Sequence, residues 1–289
     1  MRCSCGFPAV YEGICKMHFL EHVCTTVENT IKKYSLFTKG DRILVAISGG
    51  KDSQVLLAIL HRLGYDPDAL LVDEGICGYR EHTVKDTKEL CATLSIPLRI
   101  VTFQEEMGDS LDSILKKRRK RNPCTICGAY RRTLLNRYAE GYDVIATGHN
   151  LDDEAQVILM NILSHNIKML PRIGPRSGTQ MHVGFVPRVK PLYHLTEKEI
   201  RLFAYLNKLH ISPKECPYVP ESFRGYIRTW LNSFEHQHPG AKKNIVDWYL
   251  SHAAEFEKRF AHETGIRICR RCGQPSSNLF CKTCSLQQH

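Results

Sequence analysis

The sequence predicts an α/β fold in which an open, mostly parallel sheet carries helices on both of its faces. Short apolar runs recur along the chain, and each is followed by a segment with the spacing of an amphipathic helix. The runs lack the alternation of a half-exposed strand, which is typical of strands covered on both faces. The chain has 289 residues, 43% of them apolar, enough for one large core with small additions. Together these observations indicate βαβ units joined by right-handed crossovers.

The predicted elements follow one another in order. The first strand is "RILVAIS", Arg42–Ser48, and the helix after it ends at Gly64, a residue type common at helix C-termini. The last predicted helix opens with a capping box from Thr196 to Glu199. The elements after the first pair are, in order, the strand "ALLVDEG", the helix "EHTVKDTKELCATL", the strands "LRIVTF" and "DVIATG", and the helices "DDEAQVILMNILSH" and "TEKEIRLFAYLNKLH".

Cysteine clusters at the two ends predict a division of the chain into three parts. We expect an N-terminal zinc knuckle over residues 1–25, an α/β catalytic domain over 26–265 and a C-terminal zinc knuckle over 266–289. Within the large domain, residues 116–132 form a basic segment. Residues 171–191 are rich in Pro, Gly and Arg, which predicts a surface excursion.

The charge balance predicts an anionic partner. The formal net charge is +10 and the sequence pI is about 9.0. The sequence shows no basic amphipathic helix of the kind that binds a membrane surface, so nucleic acid is the favoured partner. The tract "KKRRKR", Lys116–Arg121, fits contact with an RNA backbone, although a solvated helix face or a localisation signal would have the same composition.

The cysteine usage predicts a cytoplasmic location. No apolar run has the length of a membrane span, and the N-terminal "MRCSCGFPAV" lacks the apolar region of a signal peptide. Thirteen cysteines in a chain without export signals favour metal sites over disulfides.

The turn "SGGKDS", Ser48–Ser53, lies between the first strand and its helix. Glycines at such a junction let backbone N–H groups surround an anion at a helix N-terminus. The turn matches neither the Walker A nor the Rossmann pattern, and a tight turn without a ligand remains an alternative. "LVDEGICGYRE" and "ATGHNLDDEA" also follow predicted strands, so all three segments should meet at the carboxyl edge of the sheet. Asp152, Asp153 and Glu154 could instead serve only to favour a helix N-terminus.

Three central cysteines allow three kinds of site. Cys124 and Cys127 form a Cys-x-x-Cys pair, and Cys216 lies far along the chain in "KECPYVP". A structural zinc ion would need a fourth ligand, which is not evident, whereas a redox dithiol would need the pair alone. An iron–sulfur cluster held by three thiolates would leave one iron without a protein ligand.

The cysteines at the two ends predict tetrahedral zinc sites. The C-terminal pattern is two Cys-x-x-Cys turns formed by Cys269, Cys272, Cys281 and Cys284. The N-terminal pattern offers Cys3, Cys5, Cys15 and His18, with Cys24 or His22 as substitutes for Cys5.

The "SGGKDS" turn resembles the PP-loop of the ATP pyrophosphatase superfamily. The order of "SGGKDS", "PCTICG", "GHNLDDE" and "KECPY", with a Cys-rich segment at each end, is similar to that of the tRNA 2-thiolation enzymes over nearly the whole chain. The resemblance implies an ATP-dependent tRNA uridine 2-sulfurtransferase, which adenylates the C2 oxygen of a uridine and then replaces it with sulfur. "CGAYRR" and "SFRGYIRTW" favour the wobble-uridine type over the T-loop type.

The same resemblance implies roles for individual residues. Cys124, Cys127 and Cys216 would bind a 4Fe-4S cluster, with a catalytic persulfide on one of these thiols as the alternative. Asp52 and Asp153 are the expected catalytic carboxylates, and a Mg²⁺ ion is expected beside the phosphates of ATP. Arg131 replaces a lysine of many T-loop enzymes and should clamp phosphate, because arginine does not transfer protons near neutral pH. The expected ATP contacts are Ala46, Ser48, Gly49, Gly50, Lys51, Asp52, Ser53, Val72, Arg131 and Gly148.

The expected partners are tRNA, a sulfur donor and a second copy of the chain in a homodimer. The donor would be a ubiquitin-like thiocarboxylate carrier or inorganic sulfide. A cytidine 2-thiolation enzyme, another PP-loop enzyme such as a lysidine synthetase or amidotransferase, and a non-catalytic tRNA-binding scaffold are the alternatives.

Overall fold

The computed structural model describes residues 2–117, 122–178, 185–218, 222–260 and 267–287. Its strands are β1 (Ala9–Tyr11), β2 (Ile14–Cys15), β3 (Ile43–Ile47), β4 (Asp68–Asp73), β5 (Leu98–Thr102), β6 (Val144–Thr147), β7 (Arg176–Ser177), β8 (Arg188–Val189), β9 (Arg267–Ile268) and β10 (Pro275–Ser276). Its α-helices are α1 (Lys16–Lys33), α2 (Lys51–Arg62), α3 (Arg80–Leu94), α4 (Phe103–Met107), α5 (Leu111–Lys117), α6 (Pro123–Tyr138), α7 (Leu151–Leu163), α8 (Glu197–Leu206), α9 (Phe223–Gln237), α10 (Ala241–Phe260) and α11 (Lys282–Gln287). A 3-10 helix covers Ile167–Arg172.

A six-stranded sheet organises the large domain, in the order β5-β4-β3-β6-β8-β7. All neighbours are parallel except β7, which runs antiparallel to β8. Val45 in the central strand β3 lies opposite Ala69 of β4 on one side and Ala146 of β6 on the other. The predicted α/β class with a mostly parallel sheet is confirmed.

Side chains of the central strand alternate between two layers of core. Ile43, Val45 and Ile47 pack in a cluster with α1, α2 and α8, whereas Leu44 packs on the opposite face with α5 and α6. Both layers are closed to solvent, which explains why β3 reads as a continuous apolar run. A third cluster joins α7, α9 and α10 beside the sheet.

The stretch 171–191 differs from the surface excursion expected from its composition. Part of it is the end of the 3-10 helix, and Arg188–Val189 is strand β8, paired in parallel with β6. Val189 is fully buried. A two-residue strand between prolines and arginines carries too little apolar signal to be read from sequence. Residues 179–184 lie outside the described part of the chain.

The two ends form small modules that are built onto the domain. The β1–β2 hairpin leads directly into α1, so the boundary expected after residue 25 falls inside a helix whose Phe19, Val23 and Val27 belong to the main core. The β9–β10 hairpin and α11 form the other module. Leu286 of α11 packs into the core layer of α6. Among the described helices, none combines the length and apolarity needed to cross a membrane.

Candidate active site

The Ser48–Ser53 turn forms a closed loop between β3 and α2. The Ser48 N–H donates to Ser53 Oγ at 3.1 Å, and the Ser53 hydroxyl donates to the Gly50 carbonyl at 3.0 Å. Gly50 is the N-cap residue of α2, so the loop surrounds the positive end of that helix. Such an arrangement is suited to bind an anion such as a phosphate chain.

Two glycines permit the close packing of this loop. Gly49 has a φ of +79°, and a Cβ there would lie 2.6 Å from the carbonyl oxygen of Thr83 on α3. Gly148 follows β6, and a Cβ there would lie 2.7 Å from the backbone nitrogen of Ser53. The turn after β6 therefore rests directly on the first turn of α2. Gly148, an expected nucleotide contact, lies at the loop for this reason.

Lys51 and Asp52 form a charged edge of the loop. Lys51 Nζ lies 3.2 Å from Asp52 Oδ2 and 2.9 Å from Oε1 of Glu197 on α8. Asn150 Nδ2 donates to Asp52 Oδ1 at 3.0 Å. Burial raises the pKa of Asp52, and Lys51 opposes that rise. Carboxylate oxygens such as those of Asp52 are among the ligands that Mg²⁺ prefers.

Two of the three acids in "LDDEA" are held in structural ion pairs. Lys242 of α10 contacts Asp152, and Lys190 Nζ donates to Glu154 Oε1 at 2.6 Å. All four residues are buried, so these pairs fix α7 to its neighbours.

Asp153 differs from the other two acids because it faces Asp52 and an arginine. It forms a reciprocal capping box with Asn150, and its Oδ1 lies 3.8 Å from Arg224 Nη1 on α9. Burial raises the pKa of Asp153, whereas Arg224 lowers it. Asp153 therefore favours the N-terminus of α7, as the alternative interpretation allows, and it also interacts with Lys51 of the Ser48–Ser53 loop, which we call the nucleotide loop.

Arg80 and Glu74 connect the nucleotide loop to the central cysteines. Both side chains are buried, with 3% and 5% of their surface exposed. Arg80 donates to the carbonyl oxygens of Ser48 and Val72, each at 2.7 Å, and its Nε lies 3.0 Å from Glu74 Oε2. The other carboxylate oxygen of Glu74 lies 3.5 Å from Arg131 Nε. One carboxylate therefore lies between the two arginines.

The three central thiols lie near the N-terminal end of α6. Asn122 caps this helix and Pro123 begins it, so Cys124 and Cys127 occupy its first turns. Cys124 Sγ lies 4.0 Å from the Tyr218 carbonyl oxygen, and Cys216 packs against the core layer that contains Cys127. Burial raises the pKa of Cys127 to about 11, and Glu74 and Cys124 add to a burial-driven rise in the pKa of Cys216.

Arg131 belongs to this thiol site. Its Nη2 donates to Cys127 Sγ at 3.2 Å, one helical turn away. The expectation of a phosphate clamp stays a prediction. In this structure the guanidinium donates a hydrogen bond to sulfur, a contact that becomes stronger when the thiol is ionised. Ala46 and Val72, two expected ATP contacts, lie near the carboxyl ends of β3 and β4.

Three thiols are a donor set that an iron–sulfur cluster can use, and they do not form a tight single-ion site among the described residues. Within the described ranges, the ligand groups that come within 4.8 Å of one another are those at the two chain ends, and the central trio is not among them. A four-iron cluster is larger than one ion, so its three thiolates need not converge so closely. Cys124 is exposed whereas Cys127 is buried, which leaves one side of the site open.

Comparison with known proteins agrees with this geometry. A PP-loop domain family matches residues 20–233. The tRNA-5-methyluridine(54) 2-sulfurtransferase of Pyrococcus horikoshii is 39% identical over 96% of this chain and 88% of its own length. The cytoplasmic tRNA 2-thiolation protein 1 of Laccaria bicolor is 38% identical over 96% of this chain and 80% of its own. The chain belongs to the PP-loop tRNA 2-thiolation family. It is therefore related to enzymes, as its motifs predict.

A solved structure of the family extends the match to the whole fold. The U34-tRNA thiolase NcsA from Methanococcus maripaludis, solved with its [4Fe-4S] cluster, is 32% identical and superposes with a TM-score of 0.82. The alignment covers 100% of this chain and 96% of the thiolase. The family resemblance expected from the sequence motifs is confirmed.

The N-terminal module of this family member gathers the four predicted ligands. The ligand atoms of Cys3, Cys5, Cys15 and His18 all lie within 4.8 Å of one another. Cys3 Sγ lies 3.0 Å from His18 Nδ1, and Cys5 Sγ lies 3.6 Å from Cys15 Sγ. His22, a possible substitute, instead contacts Glu199 at 3.1 Å, so Cys5 completes the set.

The C-terminal module gathers its four cysteines in the same way. The sulfur atoms of Cys269, Cys272, Cys281 and Cys284 all lie within 4.8 Å of one another. Burial of Cys269 is outweighed by backbone N–H groups, foremost that of Cys281, which lower the pKa of Cys269 to about 6. A cysteine binds a metal ion in its thiolate form, so the lowered pKa of Cys269 and the grouping of the four sulfur atoms favour binding of a metal ion.

Sequence reasoning missed several residues of the site. Glu74, Arg80, Asn150 and Glu197 lie within the motifs or predicted helices, but no sequence pattern assigns them a role. Arg80 in "GYRE" looks like a surface arginine, because nothing local shows that it turns back to Ser48. Of the basic tract, the structure describes Lys116 and Lys117, and Lys117 pairs with Asp109 at 2.7 Å. Residues 118–121 lie outside the described part.

Proposed function

We propose that the chain is an ATP-dependent tRNA uridine 2-sulfurtransferase. The observation that carries the proposal is the continuous contact from the nucleotide loop through Arg80 and Glu74 to Arg131 and Cys127. An enzyme that only used ATP would have no need of three thiols at this position. A thiol site alone would not need the anion-binding loop.

The first step is adenylation of the uridine. The C2 oxygen attacks the α-phosphorus of ATP, and pyrophosphate leaves. The N–H groups of the Ser48–Ser53 loop and the Lys51 ammonium would bind the leaving pyrophosphate. Asp52, with Asp153 beside it, would bind a Mg²⁺ ion that neutralises the phosphate charge. Adenylation is needed because the uracil oxygen is otherwise a poor leaving group.

The second step replaces the adenylated oxygen with sulfur. Cys124, Cys127 and Cys216 would hold a 4Fe-4S cluster, which supplies an iron without a protein ligand at which sulfur can be kept for transfer. Arg131 would balance the negative charge of the thiolates, and Glu74 would hold Arg131 in place. AMP departs when hydrosulfide attacks C2, which gives 2-thiouridine. A persulfide on one of the same thiols is the alternative source of sulfur.

Structural zinc is the proposed occupant of both terminal modules. Each offers four tightly grouped ligands of the type and number that zinc takes in closed sites. These modules would act in folding and partner contact, since no coordination position is left for a substrate.

The wobble uridine is the favoured target. The thiolase that matches the full chain is named for U34, although the Pyrococcus relative is named for position 54. Arg131 in place of a lysine supports the same choice.

We further propose a cytoplasmic location and a homodimer, with a thiocarboxylate carrier or sulfide as the sulfur donor. A cytidine 2-thiolation enzyme and a tRNA-binding scaffold are the alternatives.

One assay tests the proposal. The protein is purified without oxygen and incubated with ATP, sulfide and unmodified tRNA, and the tRNA nucleosides are then analysed by mass spectrometry. We expect 2-thiouridine and equimolar AMP, with the modified site found by digestion. 2-Thiocytidine would indicate the cytidine enzyme, and no AMP release would indicate a scaffold.

Matched variants separate the two steps. Asp52→Ala should abolish AMP release but retain iron. Cys216→Ala should lose iron and 2-thiouridine, whereas Cys91→Ala, a buried cysteine of α3 outside the site, should retain both. Full thiolation by a colourless Cys216→Ala protein would contradict the cluster assignment.

A further inference from the structure

One side of α6 carries two arginines that have no acidic partner. Gly128, Arg132 and Asn136 follow one another at intervals of four residues, so they lie along one side of the helix. Arg188 of β8 reaches the same side, where its Nη2 donates to Asn136 Oδ1 at 2.6 Å. We refer to Arg132 and Arg188 as the arginine pair. Within the described ranges, neither of them forms an ion pair with a carboxylate.

Uncharged groups hold the side chains of the arginine pair in place. Arg188 is half-buried, and its guanidinium lies 5.5 Å from the ring centroid of Phe185 in a cation–π contact. Arg132 is exposed, and its guanidinium lies back along α6, since a Cβ on Gly128 would lie 3.2 Å from Arg132 Nη1. Contacts of this kind orient a guanidinium but leave its positive charge without a counter-ion.

The two guanidinium groups are close enough to repel each other. Burial and the charge of Arg132 lower the pKa of Arg188 to about 10. The protein around Arg132 removes part of its water, and that loss, together with the charge of Arg131, lowers the pKa of Arg132. A phosphate group bound beside them would offset this repulsion and accept hydrogen bonds from the planar guanidinium groups.

The arginine pair lies between the thiol site and the C-terminal module. Successive residues of a helix are turned by about 100°, so the side of Arg132 lies between that of Cys124 and Arg131 and that of Thr133. Thr133 in turn contacts Thr283 of the C-terminal module at 2.8 Å. A ligand on the arginine pair would therefore have the thiols on one side and the module on the other.

The C-terminal module extends this positive surface. Residues 267–287 contain no acidic residue, and all of their cationic side chains are exposed. These side chains are Arg267, Arg270, Arg271 and Lys282. The surface beside the thiol site is thus complementary in charge to a phosphate backbone.

We propose that the arginine pair binds phosphate groups of the RNA backbone beside the target nucleotide. This inference rests on the proposed function, and it deepens it by placing the RNA along α6, from the thiol site towards the C-terminal module. RNA is favoured over an acidic protein because the pair adjoins the thiols at which the target base has to be placed. Phosphate contacts position a nucleic acid without reading its sequence, so the pair fixes where the RNA lies and does not choose the base.

The salt dependence of RNA binding tests Arg132. Arg132→Gln removes the charge of an exposed side chain, whereas Arg132→Lys retains it. For an unmodified tRNA transcript, Arg132→Gln should weaken binding by about tenfold and lower the slope of log affinity against log salt by about 0.7–0.9. Arg132→Lys should keep the slope. The control is Arg62→Gln, an exposed arginine at the end of α2 in the other core layer, which should bind RNA as the wild type does.

The second arginine is tested in the same way. Arg188→Gln should also lower the slope by about 0.7–0.9, and the double variant should lower it by about twice that amount. Because Arg188 packs on Phe185, urea unfolding is measured on the same samples, and Arg132→Gln decides the question if Arg188→Gln does not fold.

Three results would overturn the inference. The first is a wild-type RNA affinity and salt slope in Arg132→Gln. The second is a loss of ATP affinity with RNA affinity unchanged, which would assign the arginine pair to the nucleotide. The third is unchanged RNA affinity with impaired sulfur transfer from a thiocarboxylate carrier but not from sulfide, which would assign the pair to an acidic protein.

The two proposals can fail separately. A reduced salt slope in Arg132→Gln, with no 2-thiouridine formed by the wild-type protein, would overturn the proposed function but support the arginine pair as an RNA site. Formation of 2-thiouridine by the wild-type protein, with wild-type RNA affinity in Arg132→Gln, would support the function and overturn the role of the pair.

Discussion

The buried carboxylate of Glu74 forms ion pairs with two arginines. Its carboxylate lies between Arg80, which holds the nucleotide loop, and Arg131, which contacts a thiol. Glu74 and Arg80 are buried, so neither charge is compensated by water. Loss of one member of a buried ion pair costs about 3–5 kcal/mol, because the remaining charge is left without its partner.

Glu74→Gln should therefore lower the free energy of unfolding by about 3 kcal/mol. It should also reduce both iron retention and AMP release, because both arginines lose their anchor. The measurement is urea unfolding, with iron content and AMP release on the same sample. The control is Glu106→Gln, whose pair with Arg137 is more exposed and should cost less than about 1 kcal/mol. An unchanged urea midpoint for Glu74→Gln would contradict this role.

Site residues that lie within one contiguous motif could be predicted from the sequence. Site residues that connect two motifs distant in the chain could not. Ser48–Ser53 is recognisable because strand, glycines and helix follow one another directly. Glu74 lies 53 residues before Cys127 in the chain, and their proximity depends on how β4 and α6 pack. No local pattern encodes that contact.

Among the elements, the turn after β6 and the start of α2 behave as one unit. The absence of a side chain at Gly148 lets the two backbones touch, and Asn150 then reaches Asp52. The acids and the nucleotide loop are thus positioned by a backbone contact between two βα units.

Gly148→Ala should separate these units and lower AMP release by at least about tenfold, since small misplacements of reacting groups are costly. A Cβ would lie 2.7 Å from Ser53 N, closer than packing allows. Gly40→Ala is the matched control, because its Cβ would come no nearer than 3.9 Å to Thr38 Oγ1. Steady-state AMP release measures both variants. Wild-type rates in Gly148→Ala would show that this contact is dispensable.

Elements with long periodic signals were predictable, and short or cysteine-rich ones were not. Strands β3, β4, β5 and β6 and helices α2, α3, α7 and α8 match the sequence-based assignment closely. Strand β8 was missed because it has two residues. Helix α1 was missed because the cysteines before it led to a boundary at residue 25.

In the molecule as a whole, the two terminal Cys-rich modules are attached to opposite core layers. The N-terminal module continues into α1, in the layer of α2 and α8. The C-terminal module docks on α6, where Thr283 hydrogen-bonds Thr133 at 2.8 Å and Leu286 enters the core. Because α6 carries Cys124 and Cys127, the C-terminal module is joined directly to the helix that carries two of the three central thiols.

Cys284→Ala should release one zinc ion and also lower iron retention, because α6 loses its support. Cys15→Ala should release one zinc ion as well but leave the iron content unchanged. Zinc and iron are measured by elemental analysis of proteins purified under the same anaerobic conditions. Equal iron loss in both variants would mean that the modules act through global stability instead.

The position of β3 in the sheet has a consequence for biogenesis. This strand emerges from the ribosome early, yet its partner on one side is β6, about 100 residues further along the chain. At a synthesis rate of about 5–20 residues per second, one edge of β3 stays unpaired for roughly 5–20 s. An apolar strand left open for that time is an aggregation hazard, so nascent chains should need chaperone protection until residue 147 has been made.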